Sequence, residues 1–161
     1  MEKKKILTVT VENQPGVLAR IAGLFSGRDY NIDSLAVGET EDHSLSRMTI
    51  VATGDEIVLD QIIKQLNKLV DTIKVIDMEG ENYVERELAL VRVDVKGKDK
   101  NDLMQVVGIF RGKVLDVTDD SYMVEITGTD DKINAFISQM NGYGVIEMSR
   151  TGTIALTRGK K

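Results

Sequence analysis

The residues with the most chemical potential in this chain stand together near its start, Asn13-Gln14-Pro15-Gly16 followed by Val17-Leu18-Ala19-Arg20. Residues before them alternate as a strand and residues after them repeat as a helix, so the tetrapeptide is a strand-to-helix turn. The spacing predicts a helix beginning at Pro15 or Gly16. Proline suits a first helical turn because its missing N–H has no intrahelical partner there and its φ is already helical. Gly16 has no side chain to cover the free backbone N–H groups of the helix start. A small anion such as a carboxylate therefore has access to those groups and to the positive end of the helix dipole. Asn13 is placed either to cap the helix or to hold a ligand. The same tetrapeptide also serves as an ordinary well-built turn, and its spacing alone names no ligand.

Catalysis needs an acid, a base, a nucleophile or a metal at workable spacing, and no such set stands out. The chain has no cysteine, which removes disulfides, thiolate nucleophiles and cysteine metal sites together and fits a reducing compartment. Gly108 to Lys113 approaches a phosphate loop but is one residue short, and Val114 stands where a magnesium-binding Ser or Thr is required. Gly142-Tyr143-Gly144 lacks the third glycine of a dinucleotide fingerprint and leads into a strand. Asp119-Asp120 and Asp130-Asp131 read as turn and helix-cap residues. The single histidine, His43, lies in the polar loop Glu39 to Ser44 without neighbouring partners and is expected to face solvent. A binding module with no catalytic residue and no metal site is the reading these residues favour.

Composition agrees. The 161 residues are 42% apolar, enough for one domain or two small ones. A formal net charge of −5, with both signs interspersed, argues against a nucleic-acid backbone as partner. Only 4% of residues are aromatic and none is tryptophan, so base-stacking platforms are scarce as well. Lys3 to Lys5 and Arg158 to Lys161 read as solvated basic ends. Ile6 to Val11 is too short for a signal core or a membrane span, which leads to the expectation of a cytoplasmic protein with no membrane partner.

The elements that position the turn follow from periodicity. Leu7, Val9 and Val11 alternate with threonines in a first strand, and Leu18, Ile21, Ala22 and Phe25 form a helical stripe. Ile32 to Val37 and Leu45 to Thr53 read as strands. Val58, Ile62, Leu66 and Leu69 continue as a helix, and Ile73 to Met78 as a strand. The order β-α-β-β-α-β with short right-handed connections gives the split βαβ of ferredoxin-like folds, four antiparallel strands under two helices.

Residues 80–87 are polar and aperiodic and are expected to be a linker between a first domain, 1–79, and a second, 88–161. The second half repeats the order: strand Leu88 to Val95, a helix with Leu103, Val106, Val107 and Phe110 inward, strands Val114 to Thr118 and Tyr122 to Thr127, a helix capped by Thr129, then Gly144 to Met148 and Thr153 to Thr157. Gly23-Leu24-Phe25-Ser26-Gly27-Arg28 parallels Gly108-Ile109-Phe110-Arg111-Gly112-Lys113, through duplication or because equal helix ends call for equal residues. The second half has no Asn-x-Pro-Gly turn, so a site of this kind is expected only in the first. The fold class is α+β, two consecutive ferredoxin-like βαββαβ domains.

The first half resembles an ACT domain, the small βαββαβ module that binds amino acids between paired copies. Across the whole chain, Glu12 to Arg20, Tyr30-Asn31-Ile32-Asp33-Ser34-Leu35, Leu45-Ser46-Arg47-Met48-Thr49-Ile50, Val84-Glu85-Arg86-Glu87-Leu88, Ile109-Phe110-Arg111-Gly112-Lys113 and Ser149-Arg150-Thr151-Gly152 resemble, in order, the signature segments of the acetolactate synthase (acetohydroxyacid synthase) small regulatory subunits. The resemblance implies a non-catalytic subunit of branched-chain amino-acid biosynthesis, leading to isoleucine among other products. Such a subunit binds the catalytic (large) subunit, raises its activity and makes it sensitive to feedback inhibition by valine. Thiamine diphosphate, magnesium and FAD would belong to that partner, and no cofactor to this chain.

Joined to the turn chemistry, the resemblance implies a homodimer paired at the edge of the second strand near Leu35 and Val37. A valine carboxylate would meet the N–H groups around Gly16, Val17 and Leu18. Asn13, with Asn31 and Ile32 of the facing copy, would hold the ammonium and wall the isopropyl group. Asp29 stands where the family usually has glycine, which bears on the placing of Asn31.

Overall fold

The computed structural model describes residues 2–28 and 30–159. The chain runs β1 (Glu2–Glu12), α1 (Val17–Ser26), β2 (Asn31–Glu39), β3 (Leu45–Asp55), α2 (Glu56–Lys68), β4 (Thr72–Asp77), β5 (Tyr83–Asp94), α3 (Lys100–Ile109), β6 (Lys113–Val117), β7 (Ser121–Gly128), α4 (Asp130–Asn141), β8 (Val145–Arg150) and β9 (Ile154–Thr157). By contact it divides into two units, Met1–Val84 with Thr153–Lys161, and Glu85–Gly152. The position of Asp29 lies outside the described residues.

In the first unit the sheet order is β2-β3-β1-β4, all antiparallel neighbours. Strand alternation sends Leu7, Val9 and Val11 of β1 and Met48, Ile50 and Ala52 of β3 to one face, where Val17, Ile21 and Phe25 of α1 and Leu59, Ile62 and Leu66 of α2 close over them. The second unit repeats the order as β6-β7-β5-β8. Its core joins Ala89, Val91 and Val93 to Leu103 and Val107 of α3 and Ile133, Phe136 and Met140 of α4, with the Phe110 ring edge-on to Phe136 at 5.4 Å. Both units are thus the expected α+β arrangement of four strands under two helices.

Several local expectations change. Residues 83–87 are already strand, because Glu87 is a buried partner rather than a solvated linker residue: its carboxylate receives Arg150 Nε at 2.6 Å, and Leu88 N–H donates to Thr151 Oγ1 at 3.1 Å. Two of the signature segments, around Glu87 and Arg150, are therefore halves of one clamp. Thr153 to Thr157, expected to close the second domain, instead lies with the first unit. Thr153 N–H donates to Ser34 Oγ at 3.2 Å and Ala155 N–H to Thr49 Oγ1 at 3.4 Å, so β9 covers the sheet face opposite the helices. That contact spans more than a hundred residues and leaves no local pattern. Lys5 is not a solvated end either; it is buried, with Nζ 3.0 Å from Asp60 and 2.8 Å from Asp77, and these carboxylates hold its ammonium well above the usual lysine range.

Candidate functional site

The Pro-Gly pair does something different from opening a helix. Gly16 has φ 85° and ψ −8°, and Val17 N–H reaches back to the Gln14 carbonyl at 3.4 Å. Those are the marks of a type II turn with proline at its second and glycine at its third position. Helix α1 therefore begins at Val17 with Gly16 as its N-cap, and Pro15 stays outside. A left-handed residue here must lack a Cβ, and an added one would sit 3.2 Å from an Arg20 guanidinium nitrogen.

This helix start is unlike the other three. Asp55 caps α2 by accepting from Ile57 N–H, Asp99 caps α3 by accepting from Asn101 and Asp102 N–H, and Thr129 caps α4 by accepting from Lys132 N–H. Each also carries acid in its first turn. On α1 no side chain caps, and the first turn holds no acidic residue. Asn13, open to either role on sequence, does not cap. The positive end of α1 is left to solvent or to a ligand.

Asn13 is held from the other side. Its amide nitrogen donates to Glu39 Oε1 and to the His43 carbonyl, both at 3.1 Å, and its backbone N–H donates to Ser44 O at 2.8 Å. Both side-chain N–H groups face acceptors, which fixes the amide's orientation and turns Oδ1 away from the loop. The second Glu39 oxygen lies 2.9 Å from His43 Nδ1. His43 itself is 88% exposed, as expected of it.

The remaining candidates separate. Val17 is buried, so only its backbone faces the helix start, whereas Leu18 is half-exposed. Arg20 reaches Asp71 through Nε at 2.9 Å and lays its guanidinium against Gly16. Asn31 and Ile32 lie at the far end of the sheet: Asn31 pairs with Thr53, and Thr53 pairs with Lys4, nine residues before Asn13. At strand spacing this is about 30 Å, so one chain cannot bring Asn13 and Asn31 onto one small ligand. Asn31 Nδ2 donates to Asp33 at 3.2 Å, and Ile32 packs partly into the first core. Leu35 and Val37 lie on β2, an edge strand; Leu35 packs against the core and Val37 is exposed.

Sequence reasoning missed Glu39, which reads as the start of a polar loop and becomes a partner of Asn13 only through the β2–β3 hairpin. The other glycine motifs resolve as turns. Gly108 to Lys113 ends α3 with Arg111 at φ 57°, and a Cβ on Gly112 would press on Val124 and Val107. In the second unit an open groove of about 180 Å³ is lined by Leu90, Arg92, Met123, Glu147, Met148 and Ser149, with Arg92 Nε 2.9 Å from Glu147. Among the described residues no group of three His, Cys, Asp or Glu is gathered for a metal, and no helix is long and apolar enough to cross a membrane.

Comparison with known proteins adds two matching family models. One, described as "AHAS small subunit-like ACT domain", covers residues 7–74, and the other, "Small subunit of acetolactate synthase", covers residues 86–159. A probable acetolactate synthase small subunit of Archaeoglobus fulgidus is 51% identical over 98% of this chain and 99% of its own. The acetolactate synthase isozyme 3 small subunit of Escherichia coli is 44% identical over 98% of each. The crystal structure of the Thermotoga maritima small subunit superposes with a TM-score of 0.88 at 41% identity, covering 99% of both chains.

Proposed function

The chain belongs to the acetolactate synthase small-subunit family, and from that premise we propose that it is a regulatory subunit that binds a catalytic acetolactate synthase subunit in the cytoplasm, raises its activity, and makes it sensitive to valine. The chemistry of the reaction, with thiamine diphosphate, magnesium and FAD, belongs to the partner. The observation that carries the proposal is the uncapped, acid-free start of α1 beside an Asn13 oxygen that no hydrogen bond claims among the described residues.

An α-amino acid fits those two features together. Its carboxylate meets the N–H groups around Gly16, Val17 and Leu18, of which the Val17 N–H is shared with the Gln14 carbonyl, and the positive helix end, with the Arg20 guanidinium alongside. Its ammonium meets Asn13 Oδ1. The apolar side chain then needs a wall that this end of one sheet does not supply.

A second copy supplies it if the β2 edges pair antiparallel about a two-fold axis at Leu35, the middle of Asn31–Glu39. Such pairing sets Asn31 and Ile32 of one copy beside Glu39, and hence near Asn13, of the other. The 30 Å separation within a chain becomes adjacency across the seam, with two equivalent sites. It also satisfies the backbone groups of an otherwise open edge. Because each ligand touches both copies, valine that prefers one arrangement of the pair shifts the assembly toward it, a coupling typically on the order of 1–3 kcal/mol.

The test is acetolactate formation by the purified cognate catalytic subunit, with and without this chain, across a valine titration. Activation that valine reverses is the expected result. A folded chain that leaves the rate unchanged throughout overturns the proposal. A free-standing amino-acid sensor of the same fold would bind valine yet have no effect on this enzyme.

A further inference from the structure

Glu39 lies beside the proposed ligand site without belonging to the helix start, and its carboxylate is divided between two partners. One oxygen receives the Asn13 amide at 3.1 Å, and the other lies 2.9 Å from His43 Nδ1. Asn13 is exposed, and an exposed asparagine side chain ordinarily samples several rotamers and both amide orientations. Here two acceptors, the Glu39 carboxylate and the His43 carbonyl, claim both of its N–H groups. An amide turned the other way would set Oδ1 against a carboxylate and a carbonyl oxygen, three acceptors together with no proton between them.

We propose that Glu39 is a positioning residue for the amino-acid ligand: it locks the Asn13 amide so that Oδ1, a pure acceptor, faces the ammonium before the ligand arrives. This rests on the valine site proposed above and goes beyond it by assigning the site's preorganisation to a residue at the end of β2. Binding then avoids the ordering of one side chain, a saving that corresponds to about three- to tenfold in affinity. His43 contributes mainly through its backbone carbonyl, since its ring is 88% exposed and its pairing with Glu39 is solvent-screened. The groups bonded to the Glu39 carboxylate are the Asn13 amide and the His43 ring.

Isothermal titration of the full chain with L-valine tests this, using the unchanged chain, Asn13→Ala, Glu39→Ala, Glu39→Gln and His43→Ala, each checked for fold by circular dichroism. Positioning predicts that Glu39→Ala weakens valine about three- to tenfold. Glu39→Gln, which keeps an acceptor for the Asn13 amide but removes the charge, should stay within about twofold, and His43→Ala should behave likewise. Adding Glu39→Ala to Asn13→Ala should cost nothing more, because there is no longer an amide to orient. If Glu39→Ala binds valine normally while Asn13→Ala does not, the positioning role is overturned and the site stands. If Glu39→Gln falls as far as Glu39→Ala, the residue acts through its charge, and positioning is again overturned. If Asn13→Ala binds valine normally, the site itself is misassigned and the inference falls with it.

Discussion

Helices α1 and α3 hold the same place in two copies of one topology and begin in opposite ways. At α3 the chain supplies its own anion: the Asp99 carboxylate accepts from Asn101 N–H at 2.9 Å and from Asp102 N–H at 3.1 Å. At α1 the corresponding position is Gly16, left-handed and bare, with an arginine against it. A helix start filled by a side chain is a structural joint, and one left empty is open to water or to an anion from outside. The fold is the same in both, so the function proposed for this protein rests on what one copy omits.

The sharpest way to break that contrast is to fill the empty start. Gly16→Asp sets a carboxylate where the ligand's must go and forces a Cβ onto a residue at φ 85°. Valine binding should fall by at least about a hundredfold, since two or more charge-assisted hydrogen bonds are lost at once. Activation of the catalytic subunit should remain and valine inhibition should vanish. Gly97→Asp is the matched control in the second unit, also at positive φ with open space around it, and should leave valine binding unchanged. Normal valine binding by Gly16→Asp would remove the site from α1.

The edges of the two sheets extend the comparison. β2 and β6 are equivalent edge strands, with Val37 and Val117 both exposed. Only the β2 edge is proposed to pair with a second copy. In an antiparallel pair centred on Leu35, residue 37 lies opposite Asp33 of the other copy, so Val37→Asp brings like charges face to face. Dimer dissociation should rise by about tenfold, read by light scattering across dilution, and valine affinity should fall with it. Val117→Asp should change neither. Dissociation driven by Val117→Asp instead would move the seam to the second unit.

These expectations differ in how far they were open to sequence. Strand alternation and helical stripes are local, so the topology of both units and most core residues, from Leu7, Val9 and Val11 to Ile133 and Phe136, could be read directly. The bare glycine was legible too, but its conformation was not. Pro-Gly fits both a helix start and a type II turn, and only the Val17 to Gln14 bond decides between them. What sequence could not give was pairing at a distance. Glu87 with Arg150, Lys5 with Asp60 and Asp77, β9 over the first sheet, and Glu39 with Asn13 each turn a residue that looks like solvated surface into a partnered one. In every case the partner is set by tertiary register, on which composition and spacing are silent.

Emptying the filled start is the reverse experiment, with a smaller effect. Asp99→Ala removes both cap bonds of α3 and should lower stability by about 1 kcal/mol, seen as a shift of the denaturant midpoint without change of slope. Valine affinity should stay within experimental error, because the proposed site is at the other helix. A gain of valine binding at a second site in Asp99→Ala would mean that an empty helix start suffices as a receptor. No gain would mean that the Asn13 and Arg20 side of the α1 site is needed as well.

The finest difference is in the tyrosines that stand by these helices. Tyr143 donates its hydroxyl to the Asp102 carboxylate in the first turn of α3. That bond holds the phenol up at about 12, since ionising it would set two anions together. In the first unit the Tyr30 hydroxyl donates instead to the Asp55 carbonyl at 2.9 Å, at the start of α2, while its backbone N–H bonds the Phe25 carbonyl at the end of α1. A phenol whose folded value lies above its unfolded one stabilises the fold fully below pH about 10 and loses that contribution as pH rises through about 12. Tyr143→Phe should therefore lose this contribution at neutral pH, flatten the alkaline limb of the stability curve, and remove one late-titrating phenol from the absorbance at 295 nm. Valine affinity should not move, because Tyr143 belongs to the helix start that the chain has already closed for itself.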